Sequence, residues 1–308
     1  MSSKIYCPLC ETGLTEFQSL YTHKSEVFKQ MNRQKCLSCD FQFANPMPNE
    51  NLLNKYNNSF HDSAYGGHER SKKVNAFFTG ISRTRIHFIQ NYLNFNSKNK
   101  IRLLEIGPGP GAFASVWINL FPNTKYFGIE TDVSCHKELK DLGVNLIDNN
   151  KILKYNDYFD LVIISHVLEH VTDPIHFLTR YIKTIKKNSC LYIEVPCSDW
   201  THMKKMEPHL LFFDKKSMLV LINKLKLTLV KIAYFGIPLG QIKNPIFKFL
   251  KRIRAFFFHK TDLTYFHHKR KGLKKVIKNK LEVEALLNID AHLEHDTPSW
   301  WLRVIAKK

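Results

Sequence analysis

A chain of 308 residues with 44% hydrophobic and 13% aromatic residues can fill the core of one large domain with a small appendage. No window holds the roughly 18 uninterrupted apolar residues of a membrane span, and the opening MSSKIYCPLC lacks the apolar core of a signal peptide, so the cytoplasm is the expected compartment. The net charge of +19 invites an anionic partner, whether nucleic acid, a membrane surface or an acidic glycan, although a chain rich in Lys, Asn, Ile and Phe also reaches it through composition alone.

Two pairs of cysteines come first, Cys7-Pro-Leu-Cys10 and Cys36-Leu-Ser-Cys39. Such C-x-x-C turns bring four thiolates to one point, the set that tetrahedral Zn²⁺ takes, and a segment of about 45 residues has little core of its own to fold on. Cys7, Cys10, Cys36 and Cys39 are therefore expected to hold a structural zinc, with a redox dithiol as the competing reading. With every coordination place filled by sulfur, none is left open for catalysis.

Residues 1–45 read as this module and 46–100 as a linker with N-terminal helices. Asn45-Pro46-Met47-Pro48 marks a turn, and from about His68 to Phe95 apolar positions such as Val74, Phe77, Ile81, Phe88 and Tyr92 recur at helical spacing. The remainder, 101–308, reads as one α/β domain carrying an insertion at 236–298.

That domain is organised around Ile101 to Gly111, IRLLEIGPGPG, an apolar run that closes on an acid and then on glycines at every second position. It reads as a buried strand delivering the backbone into a tight turn and a helix from about Ala112 to Leu120. Gly107, Gly109 and Gly111 permit positive φ and close approach to a ligand, while the helix start presents unsatisfied N–H groups. Nicotinamide and flavin enzymes use G-x-G-x-x-G here. The pattern Glu105-x-Gly107-x-Gly109-x-Gly111 instead resembles motif I of the class I S-adenosylmethionine (SAM) dependent methyltransferases, and the resemblance implies that these residues face the amino-acid end of SAM. Glu130, closing KYFGIE 23 residues past Gly107, falls where that family places the acid that grips the ribose hydroxyls. FDLVIISHVLEHVTD, at 159–173, looks like its fourth strand with the following loop and short helix. The resemblance spans about residues 75–235. CDFQFANPMPNENLLNKYNNSF, at 39–60, is similar to the zinc-knuckle module preceding bacterial methyltransferases that act on sugars, surface glycans or small metabolites. There a tyrosine-rich loop lies over the SAM site, a layout matched by Tyr56 and Tyr65.

Strands are expected near 101–106, 126–130, 144–147, 161–165, 190–195, 228–234 and 301–306, with helices between the first six. This is an α/β, doubly wound, Rossmann-like seven-stranded sheet with its ligand across the carboxyl ends of the strands. By resemblance, Asp148 at the end of the third strand stands near the adenine, and His166 at the end of the fourth stands near the methyl donor as a candidate for cofactor contact and catalysis. His166-Val-Leu-Glu169-His170 also spells the H-x-x-E-H of inverted zinc proteases, but it directly follows a buried strand instead of sitting in a stable helix. Cys197 stands where pyrimidine C5 methyltransferases could carry a nucleophile, yet SHVLEH lacks the acid and proline-rich loop they need, and lacks the loop that grips exocyclic base amines.

Glu207-Pro208-His209-Leu210-Leu211-Phe212-Phe213-Asp214 resembles the family's histidine-bearing loop. His209 there is either a base for a hydroxyl proton or a histidine that caps the next helix or packs on Phe213. Residues 243–280 hold thirteen Lys or Arg against Asp262 alone, interleaved with seven aromatics, which suits an anionic membrane surface or a polyanion. The expected function is SAM-dependent methyl transfer, with a sugar, glycan or related small molecule as acceptor and a peripheral position at the inner face of the membrane through 243–280. The alternatives are an RNA methyltransferase, favoured by basicity and disfavoured by the missing base-gripping loops, and a zinc-bearing binding protein that keeps the fold without turnover.

Overall fold

The structure, a computed structural model, describes residues 4–58, 71–95, 98–242, 244–247, 249, 250, 253, 282, 286 and 289–308. Three antiparallel strands open it: β1 (Thr15–Leu20), β2 (Asn32–Cys36) and β3 (Gln42–Asn45). α1 (Glu50–Asn57) begins where the Asn49 side chain accepts the N–H groups of Asn51 and Leu52, and α2 (Lys72–Tyr92) where Ser71 accepts that of Val74.

The α/β domain then runs β4 (Arg102–Ile106), α3 (Ala112–Leu120), β5 (Lys125–Ile129), α4 (His136–Asp141), β6 (Asn145–Leu146), β7 (Phe159–Ser165), α5 (Pro174–Ile182) and β8 (Ile185–Pro196). After these come β9 (Leu211–Phe212), α6 (Lys215–Lys224), β10 (Thr228–Pro238), α7 (Leu239–Ile242), β11 (Glu294–His295) and β12 (Ser299–Lys307). The sheet order is β6-β5-β4-β7-β8-β12-β10-β11. Pairing is parallel from β6 to β8, and β12 enters between β8 and β10 antiparallel to both. All seven expected strands are present. Two differences are that β6 and β7 are joined by a 3₁₀ segment, Asn149–Tyr155, and that the two-residue β11 adds an eighth strand at the edge.

Alternation along the strands divides the core between two faces. Leu104, Ile106, Val162 and Ile164 pack with α5, α6 and the N-terminal strands, whereas Leu103, Leu161 and Ile163 pack with α2, α3 and α4. The strand order turns between β4 and β7, which opens a crevice at their carboxyl ends.

The N-terminal module is not closed at residue 45. β9, which follows the fifth domain strand, pairs antiparallel with β3 in the register Gln42↔Phe212 and Phe43↔Leu211, making a four-stranded sheet β1-β2-β3-β9. Of the basic segment 243–280, only 244–247, 249, 250 and 253 are described, so most of that segment, like Tyr65 and the expected helix start at 68–70, lies outside the described residues. Ile246, Phe249 and Leu250 are exposed there. Beyond it, Glu282 pairs with Arg83 of α2 at 2.9 Å. Among the described residues no helix is long and apolar enough to cross a membrane.

Candidate active site

A cavity of about 720 Å³ occupies the crevice, within the roughly 300–1,000 Å³ usual for small-molecule sites. One wall is the β4–α3 turn. Gly107 sits at φ +68° with its N–H donated to Ile129 O, and a Cβ there would meet Val167 Cγ2 at 2.6 Å. Gly109, at φ +54°, donates its N–H to Glu130 Oε2 at 2.7 Å. Gly111 caps α3 at φ +81° without lining the cavity; a Cβ there would strike Leu142 Cδ1 at 2.6 Å and Leu139 Cδ2 at 3.0 Å, so it serves the packing of α3 against α4. Glu130 Oε1 accepts the Asp132 N–H at 2.9 Å, which fixes the carboxylate at the end of β5 with oxygen lone pairs left for a ligand, while burial raises its pKa.

Glu105 lines the floor and accepts the Tyr126 hydroxyl at 2.5 Å; burial pushes its carboxyl up to about 7. A cationic ligand group beside it would favour the ionised form. Asp148 stands elsewhere: it caps the 3₁₀ segment by accepting the Asn150 N–H, is half exposed, and leaves the cavity wall to its neighbour Asn149. Tyr56 likewise turns away, packing edge-on against Phe28 at 5.1 Å, while Asn54 and Asn57 of the same helix reach the cavity.

A second wall, beginning beside the turn at the end of β7, is a cluster of histidines and carboxylates. His166 lies just past β7 at φ +55°, with Nε2 3.0 Å from Glu194 Oε1 and Nδ1 3.3 Å from Glu169 Oε1. Burial acts to lower this imidazole, but the two carboxylates outweigh it and lift it to about 9. His166 is therefore a cation at neutral pH, which fits it to electrostatics and orientation and not to accepting a proton. With both His166 ring nitrogens on carboxylates, and Glu169 and His170 in a 3₁₀ turn, His166 and His170 are not the helical ligand pair that the zinc-protease reading needs; Glu169 and His170 gather instead with His209, their ligand atoms within 4.8 Å of one another.

Glu169 is 1% exposed, with His166 Nδ1 3.3 Å and His170 Nε2 3.8 Å from its Oε1. Burial would raise its carboxyl, yet the His166 imidazolium and the nearby His170 and His209 hold it down at about 2. His170 donates from Nδ1 to Pro208 O at 3.2 Å, and burial drives its pKa down to about 4, leaving it neutral. His209 lines the same wall. Its Nδ1–H donates to Asp199 Oδ2 at 2.5 Å, which turns Nε2 away as the acceptor nitrogen. Burial opposes protonation of this ring, and Asp199 overcomes it to raise the pKa. His209 neither caps α6, a place taken by Asp214, nor uses Phe213 as its partner.

Under this wall lies an ionic network absent from the sequence expectations. Glu194, fully buried in β8, takes Arg85 of α2 at 2.5 Å, Arg303 of β12 at 2.6 Å and His166. Asp199 was missed as well. The signal for Glu194 and Arg303 was a charge inside an otherwise apolar strand, CLYIEVPC and WWLRVIA; Asp199 lies in an irregular stretch whose pattern marks nothing.

The four cysteines meet as expected. Sγ–Sγ separations are 3.7 Å for Cys7–Cys39 and 3.4 Å for Cys10–Cys36, all four ligand atoms lie within 4.8 Å of one another, and none is in a disulfide. Zn–S bonds of about 2.3 Å give a tetrahedral edge of about 3.8 Å, so the cluster is compatible with zinc. Cys197 is buried with its thiol pushed up to about 12 by burial, which leaves it an inert loop residue.

Residues 81–231 match the family model described as a methyltransferase domain. Together with the strand order and the glycine turn, this defines the fold as the Rossmann-like one of class I methyltransferases. Among solved structures, the chain is similar to a SAM-dependent methyltransferase from Thermotoga maritima, titled a possible histamine N-methyltransferase (14% identity, 84% of this chain and 97% of that one, TM-score 0.47). It is similar too to a SAM-dependent methyltransferase from Archaeoglobus fulgidus (16%, 81% and 98%, 0.47) and to phosphoethanolamine N-methyltransferase 2 of Haemonchus contortus (15%, 82% and 59%, 0.45). No curated protein matches.

Proposed function

We propose that this chain transfers the methyl group of SAM to a hydroxyl oxygen of a sugar, a glycan or a related small molecule, with His209 as the base. The observation that carries this reading is the Asp199–His209 pair: a buried carboxylate holds Nδ1–H, so the cavity-lining ring has Nε2 as its proton acceptor. Bound SAM supplies a methyl carbon on a positively charged sulfur. Glu130 takes the ribose hydroxyls, Glu105 and the Gly107–Gly109 backbone take the amino-acid end, and His166 stays as a cation bridging Glu169 and Glu194. With SAM bound, its methyl group would be available to the acceptor oxygen, and His209 Nε2 would take the hydroxyl proton. Most of the acceleration comes from holding oxygen, methyl carbon and sulfur in line.

Zn²⁺ in the four-cysteine cluster has a structural role. The basic segment 243–280 brings the enzyme to an anionic membrane surface, where exposed Ile246, Phe249 and Leu250 enter the interfacial layer and each nearby cation adds about 1 kcal/mol. Incubating the protein with methyl-labelled SAM and, separately, nucleotide-linked sugars, lipid-linked glycans and RNA tests the acceptor. Label on a glycan hydroxyl is the expected result; label on RNA alone would replace this reading with the RNA methyltransferase.

A further inference from the structure

The histidine loop, residues 206–213, rests on the cysteine module as much as on the catalytic domain. From the module, Thr22 O accepts the N–H groups of Met206 at 3.0 Å and Glu207 at 3.3 Å. Glu207 Oε2 accepts in return from Lys24 N at 2.5 Å and Ser25 N at 2.9 Å. The Tyr21 hydroxyl donates to the carbonyl of His209 itself at 2.7 Å, and Ala44 N donates to Leu210 O at 2.8 Å. Two residues on, β9 is a strand of the module's sheet. The domain contributes the Glu169 carbonyl, which accepts Leu210 N at 2.7 Å, His170 Nδ1–H donated to Pro208 O at 3.2 Å, Ser198 N donated to Phe213 O at 2.9 Å, and Asp199 on the imidazole.

The thiols sit at the joints of that same sheet. Cys36 ends β2, Cys39 lies in the turn from β2 to β3, and Cys7 and Cys10 precede β1, so the cluster ties together the strand ends that set the place of β3. β3 is the strand that pairs with β9. Lys224 of α6 reaches across to Leu9 O, between the first two cysteines, at 3.0 Å. By contrast, Gly107, Gly109, Glu105 and Glu130 make their hydrogen bonds inside the α/β domain, with Ile129, Glu130, Tyr126 and, for Glu130, Gly109 and Asp132.

We propose that the four-cysteine module, acting through Tyr21, Thr22 and β3, is the positioning element that holds the His209 loop against the cavity, so that metal loading sets the acceptor side of the site and leaves the SAM side alone. This rests on the reading of His209 as the acceptor-side base. Tyr21 is a positioning residue: it touches the loop and not the reactants.

The test uses the full chain and needs neither an acceptor nor turnover. Amide hydrogen exchange is compared between zinc-loaded wild type and Cys36→Ser, with SAM binding followed by calorimetry. The expected result is exchange at least tenfold faster across 206–213 in the variant, SAM affinity within twofold, and slow exchange in metal-stripped wild type restored by zinc alone. Unchanged exchange at 206–213 while 4–45 opens would overturn the proposal, as would loss of SAM binding alongside. Tyr21→Phe keeps all four thiols and separates positioning from folding. It is expected to shift or broaden the low-field His209 Nδ1 proton resonance that the Asp199 bond produces, with 4–45 still protected; an unmoved resonance overturns the role of Tyr21. Whether His209 is the base is decided separately, by the turnover of His209→Ala.

Discussion

The two walls of the cavity are built on different plans. The glycine-turn wall is local: β4, the turn, α3 and the end of β5 come from one short run of chain, and Glu130 closes on Gly109 through a single hydrogen bond. The histidine wall is assembled from the β7 end, a loop after β8, Arg85 of α2, Arg303 of β12 and the N-terminal module. A local wall can be read and altered piece by piece, whereas an assembled one couples residues that are far apart in sequence, so substitutions there should spread.

The largest contrast is expected from His209→Ala, which should lower turnover about 100- to 10,000-fold, the range of a positioned base, while calorimetric SAM affinity stays unchanged. A parallel loss of SAM binding would show the walls to be one unit. Next, Glu194→Ala strands Arg85 and Arg303 in the interior and should cost about 3–5 kcal/mol in chemical denaturation. The matching change on the local wall, Glu130→Ala, removes a charge-assisted acceptor and should weaken SAM by about 1.5–3 kcal/mol without moving the denaturation midpoint by a comparable amount.

The smallest effect expected is a pH dependence. Because burial raises Glu105 to about 7, a bound ammonium favours its ionised form, and SAM affinity should climb as pH rises through that value and then level off. In the protein without SAM the sign is the reverse for folding: with the folded pKa above the ordinary carboxyl value, Glu105 contributes stability that is full below that ordinary value and is lost as pH rises through about 7. Calorimetry of wild type and Glu105→Gln across this range separates the term; identical slopes would remove Glu105 from the cofactor side.

What was legible in the sequence follows the same divide. Gly107, Gly109, Glu105 and Glu130 stood out because a buried strand entering a glycine turn leaves a periodic, contiguous trace, and the seven strands did so through their apolar runs. Asp148 misled because its strand end resembles the others, whereas its side chain serves a local cap and the adjacent Asn149 faces the cavity. His166 is legible as the end of β7, but its charge state is not: only the tertiary approach of Glu194 and Glu169 raises its pKa. Asp199 and the bond between Tyr21 and His209 left no local trace, since each depends on segments meeting after the sheet has formed.

The pairing of β3 with β9 also fixes an order of events during synthesis. β3 leaves the ribosome early and its partner much later, after β4 to β8 have been made, so contacts of high sequence separation must form before the first module is complete. In the interval the outer edge of β3 is an unpaired strand edge; Phe43 in β3 and Phe41 just before it are both buried in the finished protein. A truncated chain ending before Leu211 would carry that edge permanently, which makes the cysteine module, expressed alone, a strand template open to pairing with its own copies.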